Sequence, residues 1–155
     1  MFDTNAINLI NNENLRNQIN EIYEMENVSD EKKSIANDVA HWCYKLLENR
    51  GLIRDKNTHL VYVDILLMAA LLHNVYVNDH NFYDVFKARE KLDPFLEEKG
   101  VPEEYRLPLF QSIEAQFGEM SAVPGVRPQP DTPQSILSTA RFIVETLRNE
   151  AEKIL

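Results

Sequence analysis

The stretch LVYVDILLMAALLHN, residues 60–74, decides the fold of this chain. Residues 60–72 are apolar or aromatic except for Asp64, so a helix formed here is apolar on nearly all sides. Such a helix is surrounded by other elements. The run is shorter than the roughly 18 to 20 residues that span a bilayer. It therefore predicts the central helix of a soluble core, which ends at His73 and Asn74.

The stretch before it predicts a second long helix, from Ser29 to about Arg50. Ser29 is a typical N-cap, and Asp30 and Glu31 follow in the first turn, where the helix dipole favours negative charge. Gly51 ends the helix. Apolar residues recur on one face at the helical period, which marks that face as core. They are Ile35, Val39, Trp42, Cys43, Leu46 and Leu47.

Helical spacing continues on both sides of these two elements. Residues 5–26 form a polar helical stretch with apolar positions three to five apart, and residues 83–99 form another, bent or interrupted at Pro94 and stopped by Gly100. Pro102 begins a short helix. No strand alternation is present.

The last part of the chain contains a loop and a final helix. Residues 118–133 contain four prolines and two glycines, which predicts a loop. Thr132 and Pro133 then cap and start the last helix. With 155 residues and 44% hydrophobic residues, the chain is predicted to be an all-α, single-domain helical bundle. We divide it into an N-terminal helical arm, 1–28, and the bundle, 29–155.

Charge and cysteine content limit the classes of partner and location. Acidic residues number 25 against 16 basic ones, and the net charge of -9 disfavours binding to nucleic acid or to an anionic membrane. Cys43 is the single cysteine, which excludes an internal disulfide and suits a reducing compartment. No basic region followed by an apolar run begins the chain. We expect a cytoplasmic protein.

Residues 68–74 resemble the central signature of the HD-domain superfamily of metal-dependent phosphohydrolases, in which an apolar helix ends in a His-Asp pair. Asn74 stands in place of that Asp. Residues 35–40 with the helix after them resemble the family's first ligand helix, and Ile35 stands where the family has His. The resemblance implies a bundle of five or more helices, a central divalent metal such as Mn, Mg or Fe, and hydrolysis of a phosphate ester or nucleotide.

Two later segments extend the resemblance to about residues 32–147. Residues 112–118 resemble the segment that often contributes another His, with Gln116 at its position, and residues 136–141 resemble the last ligand helix, with Arg141 in place of an Asp. A guanidinium stays protonated and repels a dication. The resemblance therefore implies a vestigial pocket without metal, made of Ile35, His73, Asn74, Gln116 and Arg141.

This pocket predicts a catalytically degenerate HD-domain-like protein that acts as a binding or protein-interaction module. Its partner would be another protein or a second copy, and the pocket itself would hold a nucleotide or anion through Arg141, His73, Gln116 and Asn74. The structural interpretation of Arg141 is that it reaches solvent or pairs with a carboxylate. The candidate carboxylates are Asp38, Asp79 and Glu114.

The alternative is an active metal-dependent nucleotide or phosphomonoester phosphohydrolase with an altered ligand set. That set would be His41, His73, Asn74 and Asp79. At about 100° per residue, His41 lies nearly opposite the apolar face of its helix, so we favour a surface histidine. Asp79 and His80 lie in residues 78–81, which also have the composition of an ordinary polar turn and helix cap.

Overall fold

The computed structural model describes residues 5–49, 60–75, 85–101, 103, 106, 107, 109, 110 and 133–154. These residues are helical or lie in the adjoining turns, and none of them is in a strand, which confirms the all-α class. A 3-10 helix at Ala6–Leu9 is followed by α1 (Glu13–Met25), α2 (Asp30–Asn49), α3 (Leu60–Leu72), α4 (Val85–Glu98) and α5 (Pro133–Ile154). The prediction for Gly51 and that for the loop up to residue 132 lie outside this range.

The apolar helix α3 is the centre of the structure, as predicted. Every residue from 63 to 75 is buried, including the polar Asp64, His73 and Asn74. Helix α3 packs against α1, α2, α5 and the 3-10 helix. A buried polar group must find hydrogen bonds inside the protein, so the three polar residues of α3 are the places where its packing is specific.

Helix α2 confirms the predicted cap and most of the predicted core face. The Ser29 hydroxyl oxygen accepts a hydrogen bond from the Lys32 backbone N–H at 3.2 Å, as an N-cap does. The Cys43 thiol lies fully buried in the middle of the helix and donates to the Ala140 carbonyl oxygen of α5 at 3.6 Å. Burial also raises the pKa of this thiol. Helix α2 therefore links α3 to α5.

The predicted helix over residues 5–26 is divided in two. The Asn5 side chain accepts from the Ile7 N–H and caps the 3-10 helix, and the Asn12 side chain accepts from the Leu15 N–H and caps α1. Asparagine side chains compete with the helical backbone for hydrogen bonds, which explains why the chain breaks between these caps. Buried side chains from this segment join the same apolar core as those of α2 and α3. They are Ala6, Ile7, Ile10, Leu15, Ile19 and Ile22.

Helix α4 contributes Leu92 and Leu96 to the core and continues through Pro94, where the sequence predicted a bend or interruption. Pro94 is exposed, so its ring projects into solvent and only one backbone hydrogen bond is lost. The helix ends at Glu98; Gly100 follows with φ +87°, and the next N–H, of Val101, donates to the Leu96 carbonyl oxygen at 2.9 Å. This is the Schellman arrangement, which needs a left-handed residue. It directs the chain towards residues 103–110.

Candidate functional site

The His73 ring lies buried at the carboxyl end of α3. Its Nδ1 atom is 2.6 Å from the Ala70 carbonyl oxygen. Because a carbonyl oxygen can only accept, Nδ1 carries the proton and, in the neutral ring, Nε2 carries the lone pair. This is the tautomer in which a histidine binds a metal or accepts a proton through Nε2.

Asn74 joins the end of α3 to the start of α2. Its side-chain Nδ2 donates a hydrogen bond to the Lys32 carbonyl oxygen at 3.0 Å, and the residue is only 1% exposed. The Oδ1 atom of the same amide has no hydrogen-bond partner within the described ranges. Asn74 therefore acts as a donor between helices and presents a buried acceptor on its other side.

Tyr23 fixes α1 to the same end of α3. Its hydroxyl donates to the Leu71 carbonyl oxygen at 2.6 Å, and burial raises the pKa of the phenol. The Lys33 ammonium lies 5.6 Å from the centre of the Tyr23 ring, within the range of a cation–π contact. Three helices thus meet around Asn74, and each contributes a specific polar contact.

The two candidate residues of α2 lie at different distances from this junction. Ile35 is half-buried and follows Lys32 by three residues, less than one turn. His41 is also half-buried, but nine residues separate it from Lys32, which is about 13 Å along the helix axis. Ile35 therefore lies near the level of Asn74, whereas His41 lies far along α2.

The candidates on later elements do not extend this group. Arg141 is exposed on α5, next to the fully buried Ala140. Thr139, the residue before Ala140, is also fully buried, and its hydroxyl oxygen has no hydrogen-bond partner in the part of the chain that the structure describes. Of the predicted pocket, the structure therefore places His73 and Asn74 side by side at the end of α3, and Ile35 less than one turn along α2 from Lys32, which Asn74 contacts. Gln116 lies outside the described residues, as do Asp79, His80 and Glu114.

The donors at the end of α3 do not fit a hard divalent cation. Mn²⁺ and Mg²⁺ prefer carboxylate oxygens, and here the described donors are the imidazole of His73 and the neutral amide of Asn74. Across residues 5–49, 60–75 and the other described positions, no three His, Cys, Asp or Glu side chains are grouped as a metal site would require.

A further polar residue of α3, Asp64, was not singled out in the sequence as a site. Its carboxylate accepts the backbone N–H groups of Asn11 at 2.9 Å and Asn12 at 3.2 Å. Burial raises the pKa of this carboxyl, while those hydrogen bonds and the positive charge of Arg16 act in the opposite direction. The signal was present in the sequence, because Asp64 is the single charged residue in an otherwise apolar helix.

Comparison of the chain with protein-family models, with curated proteins and with solved structures finds no match. Among the helices that the structure describes, none combines the length and the apolar character that crossing a membrane requires.

Proposed function

We propose that this protein is a catalytically degenerate HD-domain-like bundle that acts as a binding or protein-interaction module. The observation that carries the proposal is the hydrogen bond from Asn74 Nδ2 to the Lys32 carbonyl oxygen. At the position where the resemblance implies a metal-binding carboxylate, this chain uses a neutral amide to join two helices.

The chemistry of that contact explains why a carboxylate is unsuited to it. An ionised Asp only accepts hydrogen bonds, so at position 74 it would face the Lys32 carbonyl oxygen without a proton to share. Two buried acceptors in contact cost the desolvation of both. The amide therefore supports a structural role at position 74 in place of metal binding.

The partner that we propose is a protein with a basic surface. The net charge of -9 favours such a partner, and the exposed Glu97, Glu98 and Glu103 place carboxylates on and after α4. Two further binding roles belong to the same proposal. One is self-association with a second copy of the chain, and the other is binding of a nucleotide or anion near His73.

Metal analysis and phosphatase assays test the loss of catalysis. The protein would be incubated with Mn²⁺ or Co²⁺, desalted and measured for bound metal, and then assayed for phosphate release from a panel of nucleotides and phosphomonoesters. We expect no stoichiometric metal and no turnover. Metal at one equivalent together with turnover that His73→Ala abolishes would contradict the proposal.

Binding is tested separately, so that its failure can be recognised. Sedimentation velocity over a hundredfold range of concentration measures self-association, and thermal unfolding with nucleotides measures anion binding. A ligand at about 100 times its Kd stabilises a protein by about 2.7 kcal/mol. A monomer at all concentrations, no nucleotide effect and no binding to basic proteins would contradict the binding role.

The active phosphohydrolase is the second candidate, and one observation favours it. The hydrogen bond from His73 Nδ1 to Ala70 leaves Nε2 as the coordinating nitrogen, the tautomer that metal ligands adopt. If the activity assay above gives turnover, His41→Ala identifies the altered ligand set. Turnover that His41→Ala leaves unchanged would contradict that set.

A further inference from the structure

A small cleft lies between α4 and the helical residues of 103–110. Its volume is about 150 Å³. On the second wall, Glu103, Arg106, Leu107 and Phe110 follow the i, i+3, i+4, i+7 spacing of one helical face. The residues that line the cleft are Arg89, Asp93, Glu103, Arg106, Leu107 and Phe110.

Arg106 places part of a guanidinium in this cleft. The residue is only 9% exposed; its Nε donates to Asp93 Oδ1 at 2.7 Å and its Nη1 to the Val101 carbonyl oxygen at 2.6 Å. A guanidinium has five N–H donors. Both donors on Nη2 lack a protein partner among the residues that the structure describes, which leaves one edge of a fixed cation for a ligand.

Glu103 supplies the opposite charge about one turn away. It is exposed, and it forms no ion pair or hydrogen bond with a described residue. The other carboxylate of the cleft, on Asp93, already accepts from Arg106. The cleft therefore contains two charged groups on the same helical face. They are the Nη2 edge of the Arg106 guanidinium and the Glu103 carboxylate, which has no partner among the described residues.

Two apolar side chains, Leu107 and Phe110, and the guanidinium of Arg89 form the rest of the lining. Leu107 is 45% exposed, whereas most large apolar side chains among the described residues are buried. Phe110 is buried and carries the Arg89 guanidinium at 5.7 Å from its ring centre. A cavity of about 150 Å³ accommodates a molecule the size of benzene. That is also the scale of a small amino acid.

We propose that this cleft binds a free α-amino acid with an apolar side chain. The ligand carboxylate would accept hydrogen bonds from Arg106 Nη2, its ammonium would lie at Glu103, and its side chain would cover Leu107. A simple anion would leave Glu103 facing like charge, and a simple cation would leave the Arg106 edge unused, so a zwitterion is the ligand that satisfies both groups. This site is separate from the end of α3; it shares Glu103 with the acidic surface of the proposed function but does not depend on that function.

Calorimetry with three forms of one ligand tests the proposal. L-valine, L-leucine and L-phenylalanine would be titrated first, and then the N-acetyl and amide forms of the tightest binder, which lack the ammonium and the carboxylate respectively. We expect a Kd of about 1 mM or lower for at least one amino acid, and binding at least about tenfold weaker for each blocked form. No binding by any of the three amino acids, or equal binding of the N-acetyl form, would overturn the proposal.

Variants separate a role in binding from a role in folding. Glu103→Gln is expected to weaken amino-acid binding by about tenfold or more and to leave binding of the N-acetyl form unchanged. Glu90→Gln, an exposed change on α4 outside the cleft, is the matched control and should behave as the unmodified protein. Arg106→Lys removes the open edge, but Arg106 also holds Val101, so the Glu103→Gln comparison is decisive. Unchanged amino-acid binding in Glu103→Gln would overturn the proposal.

Discussion

The two ends of α3 treat buried polar groups in opposite ways. Near the amino end, the charged Asp64 has its carboxylate oxygens occupied by the backbone N–H groups of Asn11 and Asn12, and Arg16 lies nearby. At the carboxyl end, the neutral Asn74 uses its Nδ2 on Lys32, while its Oδ1 has no partner in the described residues.

This difference shows how the chain distributes buried charge. A buried carboxylate is tolerated where backbone donors meet it directly. A group with an unengaged acceptor is neutral, because the desolvation of a charge there would be far larger. At the amino end of α3 a carboxylate with both oxygens engaged thus joins the helix to the chain before α1, whereas at the carboxyl end a neutral amide joins it to α2.

The largest effect is expected from removing the Asp64 carboxylate near the amino end of α3. Asp64→Ala removes two charge-assisted hydrogen bonds and leaves a void in the core, so we expect the free energy of unfolding to fall by about 2–3 kcal/mol. Urea unfolding followed by circular dichroism measures it. Glu48→Ala, an exposed change on α2, should stay within about 0.5 kcal/mol. A loss for Asp64→Ala no larger than that of the control would show that the Asp64 carboxylate contributes nothing to stability.

The second-largest effect is expected at the carboxyl end of α3, where Asn74 lies. Asn74→Asp places a carboxylate against the Lys32 carbonyl oxygen, and we expect a loss of about 2 kcal/mol at pH 7. Asn20→Asp makes the same chemical change at an exposed position of α1 and should be nearly neutral. If Asn74→Asp is as stable as Asn20→Asp, the structural role that we propose for the Asn74 amide is wrong.

A smaller effect is expected at the Tyr23 phenol, which joins α1 to the carboxyl end of α3. Tyr23→Phe removes the hydroxyl that donates to Leu71 and should lower the free energy of unfolding by about 1 kcal/mol. Tyr44→Phe, at a half-buried position of α2, should change it by a few tenths at most. Equal effects of the two changes would show that the hydrogen bond from the Tyr23 hydroxyl to Leu71 contributes no stability.

The smallest effect is a pH dependence of the free energy of unfolding that arises from Asp64. Burial raises the pKa of Asp64 in the folded protein, so the folded state holds this proton more tightly than the unfolded state does. Its contribution to stability is therefore complete below the ordinary pKa of an aspartate and declines as pH rises through the raised value. The stability of the unmodified protein relative to Asp64→Asn should therefore fall as the pH rises above the ordinary aspartate pKa of about 4. A rise over that range would mean that the hydrogen bonds outweigh burial.

Much of the helical framework follows from local chemistry in the sequence. The period of apolar residues predicted α2, α3 and α5, and Ser29 and Pro133 predicted two of the helix starts. The break before α1 was missed because each asparagine cap is visible only when its backbone partner is known. The uninterrupted helix at Pro94 depends on which side of α4 faces solvent.

The candidate site was less predictable because its contacts join distant parts of the chain. The apolar context of His73 and Asn74 indicated burial, and both are buried. The partner of Asn74 is a backbone atom 42 residues away, so no local pattern could identify it. The same holds for Asp64 and Asn11, and for the orientation of Arg141, which depends on the rotation of α5 about its axis.

The buried Cys43 thiol can report how often α2 and α5 separate in the native protein. Because the chain has a single thiol, and that thiol is enclosed between α2 and α5, a thiol reagent can reach it only when these helices separate. The rate of labelling under native conditions therefore measures how often the bundle opens there. Applied with and without a ligand, the same rate would show whether binding at a remote site holds α2 and α5 together.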